Sequence, residues 1–404
     1  MEPVTKPKKQ TIQDLIKICK AQNIKGYSGL SKSEIQTLID TTSKPKVEQP
    51  ENKVEKDKTT VHRLNYIGSK YQLLDWITTH IITATGKTDF QNTKVADLFA
   101  GTGIVSHHFR TLGASVQSND AELYSAVITH AFTCSTYTTL CETLINALNA
   151  ELGQGKTFNG FITDKYSPKG PSHRKFFTIE NAQKIDYLRT RIETLKPSLT
   201  EDEHKFLLAS LLLSADAVSN VPAVYGCFLQ NFKTKATRPL ILKPVHNNKV
   251  PAKHGSATFH ADVLALPTHL QKTDIVYLDP PYNGRQYSKN YFPLNMLALT
   301  PQEQALVPPL KGKTGIPDSC FISPFCKKGD AVTAAFESLF KDLKTDWIFL
   351  SYNSESTVKK QDMLDLMNKY GKASVVERDY KRFKSFDYNK DVAIKEYLFI
   401  LKKA

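Results

Sequence analysis

Apolar residues fall into three successive patterns along this chain. Near the start they recur at helical spacing: Ile12, Leu15, Ile16 and Ile18 make one stripe within residues 11–21. Gly26-Tyr27-Ser28-Gly29 breaks it, and Ile35, Leu38 and Ile39 begin a second helix. Ser31 followed three residues later by Glu34 is a capping-box signature, which places the start of that helix. Residues 43–60 are Lys, Glu, Pro, Thr and Asn with almost nothing apolar, a composition that reads as a flexible linker.

From Arg63 onward the pattern becomes α/β. Leu73, Leu74, Trp76 and Ile77 have helical spacing. A strand is predicted at Lys94–Phe99, followed by a Gly101-Thr102-Gly103 turn and a helix through Arg110. A second strand, Ser115–Gln117, ends near Asn119-Asp120. Residues 123–240 read as mostly helical, with loops around 153–171, and the apolar run Phe206–Leu213 is expected in the core. Strands return at Ala257–His260, Asp274–Leu278, Trp347–Ser351 and Tyr397–Leu401. A sheet begins, a helical block interrupts it, and the sheet resumes.

Charge narrows the partner. A net charge of +14 and a pI near 9.2 predispose a chain to polyanions, of which nucleic acid is the default. The six cysteines are scattered, without a CxxC pair, so neither zinc, a disulfide framework nor a redox site is suggested, and a reducing cytoplasm is expected. The polar, lysine-rich start lacks a signal-peptide core, and no apolar run is long enough to span a bilayer, so no membrane partner is expected.

Four local motifs carry chemistry. Ile275-Val276-Tyr277-Leu278 runs directly into Asp279-Pro280-Pro281-Tyr282. A strand ending in Asp-Pro-Pro-aromatic makes a stiff turn at the carboxyl end of a sheet, where open α/β sheets place ligands. It presents a carboxylate, a rigid carbonyl and an aromatic face, which suits a flat base with an exocyclic amine. Upstream, Asp97-Leu98-Phe99-Ala100-Gly101-Thr102-Gly103 is a strand leaving into a Gly-x-Gly turn that lets backbone approach a ligand. Ser106 stands where a dinucleotide fingerprint has its third glycine. With the leading Asp97 and Phe99, that favours S-adenosylmethionine over a pyrophosphate cofactor. Asp120, just past the next strand, is placed to accept ribose hydroxyls, or to cap the helix after it. Asn65-Tyr66-Ile67-Gly68-Ser69-Lys70 is a glycine turn leading to a lysine near a helix start, which suits a carboxylate or phosphate.

In this order the motifs resemble the Dam-type, alpha-group adenine-N6 DNA methyltransferases. The resemblance runs from about residue 63 to the C-terminus, with Ser69 departing from a glycine that some members carry. It implies a Rossmann-like α/β sheet dependent on S-adenosylmethionine, with Tyr66, Lys70, Asp97, Phe99, Gly101, Gly103, Asp120 and Asp279 at the cofactor and Asp262 near its adenine. It further implies a mostly helical target-recognition insertion and double-stranded DNA as substrate. The layout expected from pattern and resemblance together is a helical module at 1–42, a linker at 43–61, catalytic parts at 62–135 and 257–404, and target recognition at 136–256. The first forty residues resemble a SAP-like helical module, a small hairpin that binds nucleic acid or docks protein.

The chemistry follows from the poor nucleophilicity of adenine N6, whose lone pair is delocalised into the ring. Asp279 and the Pro280 carbonyl each accept one N6–H and Tyr282 stacks on the base, so the target must leave the duplex. In-line positioning supplies the orientation term. Pro281 stiffens the turn. Cytosine-C5 chemistry needs a cysteine nucleophile, and none of the six lies in a Pro-Cys context. Cytosine N4, RNA adenine, or a catalytically lost DNA-binding protein remain as alternatives.

Residues 283–288 are expected as a mobile loop over the base. Tyr352 either packs on the base or is a half-buried sheet-edge residue. Tyr380-Lys381-Arg382-Phe383-Lys384 is expected at the DNA backbone. In the helical block, Lys165, Lys169, His173, Arg174, Lys175, Lys233, Lys235 and Arg238 are candidates for phosphate or base contacts, and Asn220, Tyr225 and Gln230 for readout. The biological setting expected is a restriction–modification system, with a cognate restriction endonuclease as partner, or an orphan methylase. A monomer is expected.

Overall fold

The computed structural model describes residues 11–21, 31–36, 61–381 and 393–404. The chain divides into two compact units, residues 1–58 and 59–404. In the first, the helix Ile12–Ala21 opens at Thr11, whose N–H and hydroxyl both donate to Asp14 Oδ2 at 2.9 and 2.7 Å. Leu15 and Cys19 on that helix pack with Ile35. The capping box at Ser31 forms, with the Ser31 N–H donating to Glu34 Oε2 at 2.7 Å. Residues 26–29, Leu38, Ile39 and the linker lie outside the described residues.

The second unit is built on a seven-stranded sheet: β1 (Lys94–Asp97), β2 (Ser115–Asp120), β3 (Ala257–His260), β4 (Thr273–Leu278), β5 (Thr345–Asn353), β6 (Gly371–Lys381) and β7 (Ala393–Lys403). Their order is β3-β2-β1-β4-β5-β7-β6, with β1 to β5 parallel and β7 antiparallel to both of its neighbours. This is a Rossmann-like α/β sheet. From β1 the chain builds outward through β2 and β3, then returns to lay β4 and β5 on the other side. That reversal opens a crevice at the carboxyl ends of β1 and β4.

Both faces are buried, as a parallel sheet requires, and the period-two pattern divides the strands between them. Val95, Ile275, Tyr277, Phe349, Leu398 and Ile400 face one core, with Leu73, Ile77 and Ile81. Ala96, Val276, Leu278, Ile348, Leu350, Phe399 and Leu401 face the other, with Phe336, Phe340 and Met363. The edge strand β6 was not predicted. Its sequence, Gly-Lys-Ala-Ser-Val-Val-Glu-Arg-Asp-Tyr-Lys, is largely polar, because β6 is covered on one side only by β7.

The insertion between β2 and β3 is helical over 123–133, 139–153, 161–166, 179–195 and 201–217. Its helices begin at side-chain caps: Thr138, Thr178 and Thr200 each accept a backbone N–H from the first turn. The helical expectation for 123–240 fails beyond Ala217, since residues 218–256 contain neither helix nor strand. Pro222, Pro239 and Pro244, with Gly226, interrupt any helical hydrogen-bond ladder there. A helix at Tyr287–Ala298, bent at Tyr291 two residues before Pro293, joins this block to the sheet and shares its core.

Candidate active site

Strands β1, β2 and β4 each bring an acid to the crevice at or just past their carboxyl ends: Asp97, Asp120 and Asp279. Asp97 closes β1 and is 1% exposed. Its Oδ2 accepts the Ser106 hydroxyl at 2.7 Å, while Oδ1 has no hydrogen-bond partner. Burial pushes this carboxyl up to about 7; the Ser106 bond opposes the shift and the charges of Asp279 and Asp120 add to it. Ser106, notable in the sequence as a missing glycine, is thus a buried donor to the first acid of the motif.

Gly101 lies at φ 54° and its N–H donates to Asp120 Oδ2 at 2.7 Å. The other Asp120 oxygen accepts the Glu122 N–H at 2.9 Å, so the residue braces the turns on both sides of it. It does not cap the following helix, which starts at Leu123 with Glu122 as its N-cap and no side-chain cap bond. A Cβ on Gly101 would lie 3.0 Å from the Tyr66 ring, and one on Gly103 2.9 Å from Phe132 Cδ2 and from Thr129 Cα. Close approach of ring and helix, as well as positive φ, requires both glycines.

The turn after β4 holds Asp279. Lys70, 5% exposed, donates to it at 2.8 Å, to the Gly68 carbonyl at 3.1 Å, and lies 3.4 Å from Glu396 Oε1 on β7. Burial works against the ammonium, but the two carboxylates overcome it and hold Lys70 well above its usual range. Burial raises Asp279 and Glu396, with Lys70 opposing in each case. Pro280 is buried, and Pro281 and Tyr282 line the cleft. The Tyr282 carbonyl accepts the Thr357 N–H at 3.1 Å, which ties the turn to the segment after β5. Tyr66 stacks on Tyr291 at 4.8 Å and lies 5.4 Å from Tyr287, forming an aromatic wall.

These groups surround one open cleft. Tyr66, Lys70, Asp97, Phe99, Gly101 and Asp120 line it together with Asp262, Asp279, Pro281 and Tyr282; Gly103 and Pro280 are next to lining residues in the two turns. Its wall carries five carboxylates, Asp97, Asp120, Glu122, Asp262 and Asp279, against one ammonium, Lys70. Such a wall repels a pyrophosphate and suits a ligand that carries positive charge.

Several lining residues escaped the sequence reading. Glu122 is pushed up to about 7 by burial, although Asn295 donates to it. Its signal was a second acid two residues after Asp120. Gln286 and Ser323 exchange hydrogen bonds at 3.4 and 2.9 Å, and Ser288 donates to the Phe321 carbonyl at 2.7 Å. Gln286 and Ser288, at the end of the expected loop, are thus hydrogen-bonded to the segment 321–323.

The expected nucleic-acid contacts divide sharply. Arg174 is buried at 2% exposure and donates to the carbonyls of Lys165, Leu310, Gly312 and Lys313. Asn220, fully buried, clamps Lys175, Leu229 and Lys233 through backbone bonds, and the Tyr225 hydroxyl donates to Asp216 Oδ1 at 2.8 Å. These three are structural, not readout groups. Lys175 and Lys233 are likewise engaged by backbone carbonyls. Lys165, Lys169, His173, Gln230 and Arg238 lie less deeply. Tyr352 is 2% exposed, donates to or accepts from Thr357 Oγ1 at 3.0 Å, and packs edge-on to Phe336; it lies outside the cleft. Residues 382–384, and the side chains of Tyr380 and Lys381, lie outside the description.

An S-adenosylmethionine-type crevice joined to an Asp-Pro-Pro-Tyr turn defines an amino-group methyltransferase. The family model for D12 class N6 adenine-specific DNA methyltransferases matches residues 66–366, and the chain belongs to that family. Its methyl donor is S-adenosylmethionine and its substrate is DNA adenine. The Type II methyltransferase M.CviAII of Paramecium bursaria Chlorella virus 1 is 40% identical over 341 residues, which cover 84% of this chain and 99% of that protein. M.NlaIII of Neisseria lactamica is 38% identical over 84% of this chain and 99% of its own length. M.FokI of Planomicrobium okeanokoites is 31% identical over 84% of this chain, but over 53% of its own length. Residues 1–65 precede the family match.

Proposed function

We propose that this cleft binds S-adenosylmethionine on the β1–β2 side and receives a flipped-out adenine of a specific duplex DNA site at Asp279–Tyr282. The observation that carries the reading is the junction of both motifs on one cavity, with five carboxylates lining it. Bound there, the cofactor supplies an electrophilic methyl group on a sulfonium centre. The fit rests on three features of this chain. Asp97 Oδ1 is a buried acceptor without a partner. The Gly101 turn leaves no room for a Cβ beside Tyr66. The acidic wall complements a cationic ligand. Asp120, which fixes the turn through Gly101, is assigned to the ribose, and Asp262 to the adenine of the cofactor.

At the other end of the cleft, Asp279 accepts one N6–H of the target, the Pro280 carbonyl accepts the second, and Tyr282 stacks on the ring. The two acceptors localise the N6 lone pair toward the methyl group, and the stiff turn holds it in line. No histidine is needed as base. The motif order assigns the chain to the Dam-type alpha group. The insertion at 136–256 is assigned to target recognition, and the 1–42 module to a second nucleic-acid contact. A Type II modification role beside a cognate restriction endonuclease is the setting we infer from the kind of relatives found. A cytoplasmic setting is inferred from the kind of relatives found, and a monomer from a cleft lined by residues of one chain. Among the described residues no helix is long and apolar enough to cross a membrane.

Expression of wild type and Asp279→Asn in a methylation-free host, with single-molecule sequencing of the DNA, tests this. N6-methyladenine at one recurrent sequence is expected with wild type. A fall of about 10³-fold is expected for the variant, the scale of losing a directed polar contact to the reacting group. Active, folded wild type that leaves no N6-methyladenine defeats the proposal.

A further inference from the structure

Glu396 stands in a row that is apolar on both sides of it, until Lys402 at the far, exposed end of the strand. Along β7 the residues Ile394, Glu396, Leu398 and Ile400 share one face, and the last two pack with Tyr277 and Phe349. A carboxylate 5% exposed on such a face is costly unless a cation meets it. The cation is Lys70, which reaches it at 3.4 Å and Asp279 at 2.8 Å. An ammonium has three N–H groups. Gly68, Asp279 and Glu396 supply three acceptors from within the chain. One positive charge is therefore divided between two carboxylates, only one of which lines the cleft.

We propose that Glu396 is a positioning residue for methyl transfer, holding the Lys70 ammonium back from full pairing with Asp279 so that Asp279 keeps negative charge for the target amine. The inference rests on the reading of Asp279 as the amine acceptor. As the new N–C bond forms, positive charge develops on N6, and a carboxylate fully paired with Lys70 would respond to it weakly. Lys70, on this view, acts through Asp279 and is not itself a cofactor ligand.

The test uses the full chain and compares Glu396→Gln with wild type at saturating S-adenosylmethionine and DNA. Loss of the second carboxylate lets Lys70 pair wholly with Asp279. The single-turnover rate is expected to fall about 10-fold, the scale of a modest misplacement at a reacting group. The acid limb of its pH profile is expected to move to lower pH, because Asp279 loses a like-charged neighbour. Cofactor and DNA dissociation constants should stay within about threefold of wild type. In a Lys70→Gln background the same substitution should change little. Glu396→Asp keeps the charge on a shorter stem, so it should lower the rate while leaving the acid limb in place.

An unchanged rate in Glu396→Gln overturns the proposal. So does a fall that merely follows a lost folded fraction, with the acid limb unmoved. Should Glu396→Gln fail to fold, a wild-type rate in Glu396→Asp overturns it instead. Asp279→Asn separates the two readings. If that variant retains activity, the assignment of the cleft fails. If it is inactive while Glu396→Gln behaves as wild type, only the role of Glu396 fails.

Discussion

Buried polar groups occur both in the cleft and in the helical insertion, but they are treated differently. In the insertion the large charged ones are satisfied by the chain itself: Arg174 gives its guanidinium to four carbonyls, and Asp186 accepts from the backbone N–H groups of Gly160, Ile162 and Thr163. Only neutral or weakly basic groups there, Tyr124, Thr129 and His204, keep a buried atom without a hydrogen-bond partner among the described residues. In the cleft the accounts stay open. Asp97 keeps an unpartnered oxygen, and two carboxylates compete for one ammonium. Satisfied buried groups specify a fold, whereas an unpartnered carboxylate oxygen on a cleft wall marks where a ligand can complete the set.

The largest test of that contrast is Arg174→Ala. It strands four carbonyls in a buried setting, and the expected loss is about 3 kcal/mol of stability, read as a lower denaturation midpoint. The methylated sequence should not change. A normal midpoint with altered site choice would return Arg174 to the DNA interface.

Asp97→Asn probes the opposite case and should cost ligand affinity while sparing the fold. Affinity for S-adenosylmethionine is expected to fall about 10-fold at pH 8, equivalent to about 1.4 kcal/mol. Because the folded carboxyl sits at about 7, above its ordinary value of 3.8, the protonated form is the one that folding favours. Its stabilising effect is full below about pH 4 and is lost as pH rises through 7. Wild-type affinity for the cationic ligand should rise between pH 6 and 8 as Asp97 and Glu122 ionise, and the variant should lessen that rise, leaving the part due to Glu122. Calorimetric titration across this range measures both; an equally steep variant would remove Asp97 from the ligand site.

The smallest effect is expected from Arg238→Ala, an exposed residue. Stability should change by less than about 0.5 kcal/mol. DNA affinity should weaken a few-fold, more at low salt than at high salt, in fluorescence anisotropy. Loss of stability would place Arg238 with Arg174.

The parts of the site legible in the sequence were those whose function is local. Asp97 to Gly103 and Asp279 to Tyr282 each combine a strand end and a turn within a few residues, so pattern and chemistry coincide. Asp120 was found because it follows the next strand. What escaped depends on contacts between distant segments. Glu396 is an ordinary glutamate until β7 is paired between β5 and β6. Arg174 looks like a surface charge in a basic loop until residues 310–313 wrap it. The helix Tyr287–Ala298 was hidden by Pro293, which its bend at Tyr291 accommodates. The irregular 218–256 segment was masked by long apolar runs upstream that belong to a helix ending at Ala217.

The placement of β7 bears on when this protein can act during its own synthesis. It is the final strand in chain order, yet it lies inside the sheet and brings Glu396 to Lys70. A nascent chain still missing β7 leaves β5 with an open edge, and Lys70 and Asp279 without their third partner. On a ribosome moving at about 5–20 residues per second, all the other site groups emerge before this one. A chain cut short before residue 393 would carry every recognisable motif and still lack the strand that closes them.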